Sequence, residues 1–204
     1  MINVRSVMWT IIFALVFTWS AINPRDYFTW MLEVAPAVIA FMLLIVTWHR
    51  FPLTSLSYVL ILVHAIILMI GGHYTYAEVP FFDGLLGMER NNYDKLGHLA
   101  QGFIPAIVAR EILLRHHVVN GSGWLFLFIV SFCLAFSAFY ELIEWWVAVF
   151  TATGAEAFLG TQGYEWDTQS DMALALTGAV ISLLMLSRLH DRQLSLLALP
   201  PERT

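Results

Sequence analysis

Long apolar segments separated by short polar stretches run through the whole chain. Apolar runs of about 17–25 residues have the length at which an α-helix crosses the hydrocarbon core of a bilayer. Six such segments can be distinguished, over residues 6–22, 33–48, 53–72, 94–114, 123–150 and 168–189. The pattern predicts an all-α fold, a polytopic bundle of about six transmembrane helices that forms one integral membrane domain over residues 1–204.

The fourth segment is the least apolar of the six. It carries His98, Gln101, Arg110 and Glu111 within its length, and Pro105 lies near its middle. A hydropathy plot can therefore miss this span. The proline is expected to kink the helix and to free a carbonyl group for a polar lining.

The composition agrees with a membrane protein and excludes several other classes. Of the 204 residues, 59% are apolar and 12% are charged, and the mean hydropathy is +0.73. A soluble domain of this size could not bury so much apolar surface. The net charge of −5 and the absence of a basic cluster argue against binding to nucleic acid. The partners expected instead are membrane lipids.

Basic residues are distributed unevenly between the two sides that six spans would create. With a cytoplasmic N-terminus, seven of the ten Lys and Arg residues fall on the cytoplasmic side, and only Arg25, Arg90 and Lys95 fall outside. This bias follows the positive-inside rule and predicts that both termini are cytoplasmic. Twelve of the fifteen acidic residues fall on the outer side or in the outer halves of the helices.

Three of the predicted helices each present a pair of polar side chains at helical spacing. Residues three or four apart share one face of a helix. Under the predicted topology, all three pairs lie at similar depth in the outer part of the membrane. The pairs are Asp94 with His98, Glu141 with Glu144, and Asp167 with Asp171.

Carboxylates at this depth need compensation, because an ionised one costs at least about 2.5 kcal/mol without a partner. Either several of them are protonated or a metal cation balances their charge. Carboxylates suit Mg²⁺ or Mn²⁺, and an added imidazole favours Mn²⁺, Fe²⁺ or Zn²⁺. The candidate metal ligands are Asp94, His98, Glu141, Glu144, Asp167 and Asp171, with His73 at the outer end of the third segment as a further imidazole. The candidate catalytic groups are His98, Glu141 and Glu144.

Simpler interpretations remain open for the same residues. Asp94 and Asp167 precede helical segments and are suited to be N-caps. Lys95 is suited to form a salt bridge with one of the acids. The cluster as a whole can equally be a structural hydrogen-bond network or a proton- or ion-translocating site.

Three motifs resemble the YjdF-type family of bacterial inner-membrane proteins. They are residues 93–98 (YDKLGH), 140–146 (YELIEWW) and 160–172 (GTQGYEWDTQSDM). The resemblance implies a multi-pass protein of the bacterial inner, or cytoplasmic, membrane. It implies no particular activity, because the family has none assigned.

A weaker resemblance is to VanZ-like membrane proteins, which are associated with tolerance to glycopeptide antibiotics. Asp94, Lys95 and His98 match their Asp-Lys-x-x-His motif. Glu141 matches a later Glu-x-x-Gln motif in which Glu144 replaces the glutamine. In the last motif Asp171 and Gly178 match, whereas Ala175 replaces an asparagine. This resemblance implies chemistry on envelope lipids or cell-wall precursors.

Three functions are consistent with these features. The first is a metal-dependent enzyme that acts on a lipid phosphate or envelope precursor at the outer leaflet. The second is a proton-coupled transporter, although no inverted repeat is visible in the sequence. The third is a non-catalytic structural membrane protein whose polar cluster only holds helices together.

Overall fold

The chain folds as a helical bundle, as the apolar pattern predicts. The computed structural model describes residues 4–83, 90–151, 158 and 162–198. Within these residues no strand is present, and one isolated bridge joins Asp83 to Asn91. The helices are α1 (Val4–Ala21), α2 (Tyr27–Thr47), α3 (Ser55–His73), α4 (Tyr93–Arg115), α5 (Ser122–Thr151) and α6 (Asp167–Ala198).

Two helices are markedly longer than the apolar segments that predict them. Helix α2 begins at Tyr27 rather than at residue 33, because the Asp26 side chain caps it by accepting a hydrogen bond from the Thr29 amide at 2.7 Å. Helix α6 continues beyond residue 189 to Ala198. Its 32 residues span about 48 Å, more than the roughly 30 Å of a hydrocarbon core.

Within the described part of the chain, four helices are long and apolar enough to cross a membrane, namely α2, α3, α5 and α6. In α1 the apolar stretch is shorter, over Ser6–Ala21. Helix α4 is not among them, in agreement with its low apolar content. The six-span count and the cytoplasmic termini stay predictions. We call the end of the bundle at which α4 and α6 begin the outer end, following the predicted orientation, and the opposite end the inner end.

Helix α4 is polar because it lies inside the bundle. It packs against α3, α5 and α6, and its buried side chains include Asp94, His98 and Glu111. By contrast, the aromatic side chains Phe132 and Phe139 of α5 are half exposed on the outside of the bundle. The polar side chains of α4 therefore face other helices, and the apolar side chains of α5 are left to face lipid.

Helices α4 and α6 cross in direct backbone contact. A Cβ atom added to Gly102 would lie 1.7 Å from the Ala175 carbonyl oxygen, and one added to Gly178 would lie 2.2 Å from the Leu99 carbonyl oxygen. Glycine at both positions is required for this approach, as is common between transmembrane helices. The crossing fixes α4 against α6 just inside the polar pairs.

Helix α4 carries an apolar stretch between its two polar ends, which we call its apolar layer. Residues 102–109 of α4 contain no titratable side chain and extend over about 12 Å. Ala106 in this stretch is fully buried and packs with Ile129, Cys133 and Ala179. Buried polar clusters lie on either side of this layer.

Candidate functional site

The polar pairs of α4, α5 and α6 meet at the outer end of the bundle. Asp94 and His98 come from the first two turns of α4, Glu141 and Glu144 come from the outer part of α5, and Asp171 comes from the second turn of α6. All five side chains are largely buried. We call these five residues the outer site.

Asp94, His98 and Asp171 form the tightest group within the outer site. Each offers one potential ligand atom, and the three atoms lie within 4.8 Å of one another. The His98 Nε2 atom is 3.4 Å from Asp94 Oδ1 and 3.8 Å from Glu141 Oε1. One imidazole and several carboxylates are thus directed at a single point, which is the donor set expected of a small divalent cation.

The orientation of the His98 ring is set by a neighbour one turn along α4. Its Nδ1 atom is 3.2 Å from Gln101 Oε1. This contact holds the ring so that its Nε2 atom faces the carboxylates of Asp94 and Glu141. A second partner of this kind is usual for metal-bound histidines.

Glu141 has a buried oxygen atom without a hydrogen-bond partner. Its side chain is 9% exposed, and Oε1 makes no hydrogen bond within the described residues. An unpartnered polar atom away from water is costly. Because this oxygen faces His98 Nε2, it points to a ligand at the centre of the outer site.

Two cations neutralise part of the acidic charge. Lys95 Nζ donates to Asp167 Oδ1 at 2.8 Å, to Asp171 Oδ1 at 2.8 Å and to Ser170 Oγ at 2.6 Å. Arg90 forms ion pairs with Asp167 and with Asp94. Asp167 is therefore held by cations at the edge of the site, whereas Asp171 uses one oxygen for Lys95 and keeps a second.

For two candidate residues, His73 and Asp94, the structure differs from an expectation drawn from the sequence. The structure does not bring His73 into the outer site: its Nδ1 atom lies 3.0 Å from the Ser20 carbonyl oxygen, and its ring contacts Trp19. Asp94 is not an N-cap, because Asn92 occupies that position in α4.

A buried glutamate that the sequence pattern did not single out extends the site. Glu33 of α2 is 5% exposed, and its Oε2 atom accepts a hydrogen bond from Tyr140 Oη at 3.0 Å. The apolar pattern begins the second segment at Glu33 and gives this residue no role. Asp26 is the sequence signal that could have found it. As the N-cap of α2, Asp26 moves the start of the helix to Tyr27 and places Glu33 inside the bundle.

Glu33 and three residues of the outer site, Asp94, His98 and Glu144, line a small cavity of about 30 Å³. Such a volume holds about two water molecules. Burial, and secondarily the nearby Glu33, raises the pKa of Tyr76 well above its ordinary value, so its phenol stays neutral. Lining residues include Glu33, His64, Tyr76, Asp94, His98, Gln101, Tyr140 and Glu144.

Acidic groups outnumber basic groups around this cavity. Six carboxyl groups, those of Glu33, Glu141, Glu144, Asp94, Asp167 and Asp171, are buried or nearly so. The permanent cations that contact them are Arg90 and Lys95. The excess of negative charge must be removed by protons or balanced by a bound cation.

A second buried cluster lies at the inner end of α4, and we call it the inner network. It consists of Thr54, Ser57, Arg110, Glu111 and His190, which sequence analysis did not group. Glu111 is fully buried and accepts hydrogen bonds from Thr54 Oγ1 at 2.8 Å and from Ser57 Oγ at 2.6 Å. His190 lies between Glu111 and Arg110, 3.2 Å from the first and 3.1 Å from the second.

Comparison with known proteins identifies the family. Residues 5–192 match the family described as "Predicted membrane protein (DUF2238)". Over 183 residues, 88% of each chain, the sequence is 51% identical to the inner membrane protein YjdF of Escherichia coli (strain K12). No solved structure matches. The expected resemblance to YjdF-type proteins is therefore confirmed, and the chain belongs to the DUF2238 family of membrane proteins.

Proposed function

We propose that this protein is a multi-pass inner-membrane enzyme that uses a divalent metal ion to cleave or transfer the phosphate group of a membrane lipid or envelope precursor. The observation that carries the proposal is the unpartnered Glu141 Oε1, which faces His98 Nε2 within a buried group that also holds Asp94 and Asp171. A divalent ion at that point would give this oxygen a partner and reduce the excess negative charge.

The roles of the residues follow from their neighbours. Asp94, His98 and Asp171 would hold the ion, with Gln101 fixing the His98 ring and Lys95 fixing one oxygen of Asp171. A metal ion at such a site polarises a phosphoryl oxygen and lowers the pKa of bound water. Glu141 is placed to accept the proton of that water.

The depth and size of the site favour the head group of a lipid as substrate. The outer site lies in the outer part of α5 and at the start of α6, which the predicted topology puts near the lipid head groups. The cavity of about 30 Å³ admits an ion with water but not a whole head group, so only the reacting phosphate oxygens would approach it. The resemblance to VanZ-like proteins, which implies chemistry on envelope lipids, supports the same class.

Metal content is the first test of the proposal. Protein purified in detergent should contain about one equivalent of a single divalent metal by inductively coupled plasma mass spectrometry. The Glu141→Gln/Asp171→Asn variant should lose it while keeping its size-exclusion profile. His73→Gln, which alters a histidine away from the site, should keep it. Equal metal content in the double variant, or none in any sample after supplementation with Mn²⁺, Zn²⁺, Fe²⁺ and Mg²⁺, would contradict the proposal.

Activity is the second test. The metal-loaded protein is incubated in mixed micelles with phosphatidic acid or with a polyprenyl pyrophosphate, and released phosphate is measured. We expect release that a chelator abolishes and that the double variant lacks. Phosphate release that persists in the double variant would place the chemistry elsewhere.

A proton-coupled transporter is the second candidate function, and one observation favours it. The residues that line the cavity include His64, a histidine within α3, together with His98, Glu144 and Glu33. Such chains of acids and imidazoles carry protons in membrane proteins. In proteoliposomes, proton uptake that Glu33→Gln and Glu144→Gln abolish, together with no bound metal, would favour this candidate over the enzyme.

A further inference from the structure

We propose that a groove at the inner end of the bundle binds one phospholipid with an anionic head group. The groove lies between α1, α2 and α3 and has a volume of about 860 Å³. None of the described residues that line it belongs to the outer site or to the cavity next to it. This proposal therefore does not depend on the proposed enzymatic function.

The length of the groove matches one leaflet. It extends along α2 from Phe41 to the end of the helix at Trp48, and along α3 from Ser55 to Leu62. Seven residues of helix cover about 11 Å, and half of a hydrocarbon core is about 15 Å. A transmembrane helix of a partner would need a groove of about 30 Å. An acyl chain therefore fits the groove better than a partner helix does.

The lining changes from apolar to polar towards the inner end. Phe41, Leu44 and Leu62 line the part nearer the middle of the bundle, whereas His49 and Ser55 lie at the inner end. Arg50 follows His49 directly and is exposed. None of the described lining residues is acidic. This arrangement complements a molecule with an apolar tail and an anionic phosphate.

The walls of the groove are held in place by aromatic contacts. Trp9 Nε1 donates to the Tyr58 carbonyl oxygen at 2.8 Å, which fixes α1 to α3. The Trp48 ring packs against Tyr58, and the rings of Phe13 and Phe41 stack at 4.6 Å. A groove formed by ordered side chains requires little rearrangement to bind a ligand.

Lipid retention tests the proposal. The protein is purified in a mild detergent, and its bound phospholipid is measured by native mass spectrometry and by lipid extraction. We expect about one phospholipid per chain, enriched in phosphatidylglycerol over phosphatidylethanolamine relative to the source membrane. Ile45→Trp/Val59→Trp fills the groove from two residues that are 54% and 57% exposed, and it should reduce retention about tenfold.

Matched variants separate the groove from the general lipid-facing surface. Ile39→Trp and Val63→Trp change exposed residues of the same two helices that do not line the groove, and they should retain the lipid. Arg50→Gln should retain a phospholipid but lose the enrichment in phosphatidylglycerol. Arg192→Gln removes an exposed charge from the same end and should change neither. Equal retention in the filled variant, detergent as the sole occupant, or a second copy of the chain in place of lipid would overturn the proposal.

Discussion

The outer site and the inner network are two buried polar clusters on the same helix, yet they satisfy their polar atoms very differently. In the inner network, Glu111 Oε1 accepts from the Thr54 amide at 2.8 Å and from Arg115 at 3.0 Å, and Oε2 accepts from two hydroxyl groups. In the outer site, Glu141 Oε1 has no hydrogen-bond partner among the described residues. Helix α4 thus carries a fully satisfied carboxylate at one end and lies against a carboxylate with one unsatisfied oxygen at the other.

The two histidines show the same contrast. Both ring nitrogens of His190 lie within hydrogen-bonding distance of side chains, those of Arg110 and Glu111, and the residue is fully buried. His98 places Nδ1 3.2 Å from the Gln101 side chain, and its Nε2 atom faces carboxylates only, at 3.4 Å from Asp94 and 3.8 Å from Glu141. A saturated network stabilises one arrangement of helices, whereas unsaturated groups directed at one point indicate ligand binding. The inner network therefore has the features of a structural cluster, and the outer site has those expected under the proposed function.

The largest expected loss of stability follows from a substitution in the inner network. Glu111→Ala leaves the hydroxyl groups and the neighbouring cations without their shared acceptor, and removal of one partner from a buried ionic cluster costs about 4 kcal/mol. Unfolding in mixed micelles of SDS and mild detergent measures this loss. Glu165→Ala, at an exposed position, is the control. A loss equal to that of the control would contradict the structural role.

A substitution at the crossing of α4 and α6 should lower the free energy of unfolding nearly as much. Gly178→Ala places a Cβ atom 2.2 Å from the Leu99 carbonyl oxygen, and because backbone cannot move aside easily we expect a loss of about 3 kcal/mol. Gly123→Ala has no neighbouring atom within 4 Å and should be neutral in the same unfolding measurement. Equal stability of the two variants would show that the helices do not cross this closely.

A smaller loss is expected when one donor is removed from the inner network. Ser57→Ala deletes the hydroxyl group that donates to Glu111 Oε2 at 2.6 Å. Because the other donors to Glu111 remain, we expect the free energy of unfolding to fall by about 1.5 kcal/mol. Ser195→Ala, at an exposed position near the end of α6, gives the reference value. A Ser57→Ala loss as large as that of Glu111→Ala would mean that the network acts as a single unit.

The smallest effect on stability is expected at the outer site. Glu141→Gln removes a charge that is incompletely compensated, so the free energy of unfolding of the metal-free protein should change by no more than about 0.5 kcal/mol or should increase. The same unfolding measurement, made in the presence of a chelator, tests this. A loss above about 2 kcal/mol would assign the outer site a structural role like that of the inner network and would remove the contrast between the two clusters.

The sequence predicted the features of this fold that depend on local pattern. Apolar segments identified helices α1 to α6, and spacings of three and four identified the pairs that supply the residues of the outer site. The pattern did not predict contacts that depend on the tertiary structure. Glu33 was placed at a helix end because the capping role of Asp26 was not recognised, and Glu111 was not linked to Ser57 because the two are 54 residues apart.

The apolar layer between the two clusters has an electrical consequence. A membrane potential falls mainly across material of low dielectric constant, and moving one elementary charge through it is worth about 2.3 kcal/mol per 100 mV. Residues 102–109 of α4 offer no charged or titratable group along this path. Under the predicted six-span topology, we therefore expect most of the potential to fall between the outer site and the inner network, so that the carboxylates of the outer site exchange protons and ions with the outer solution.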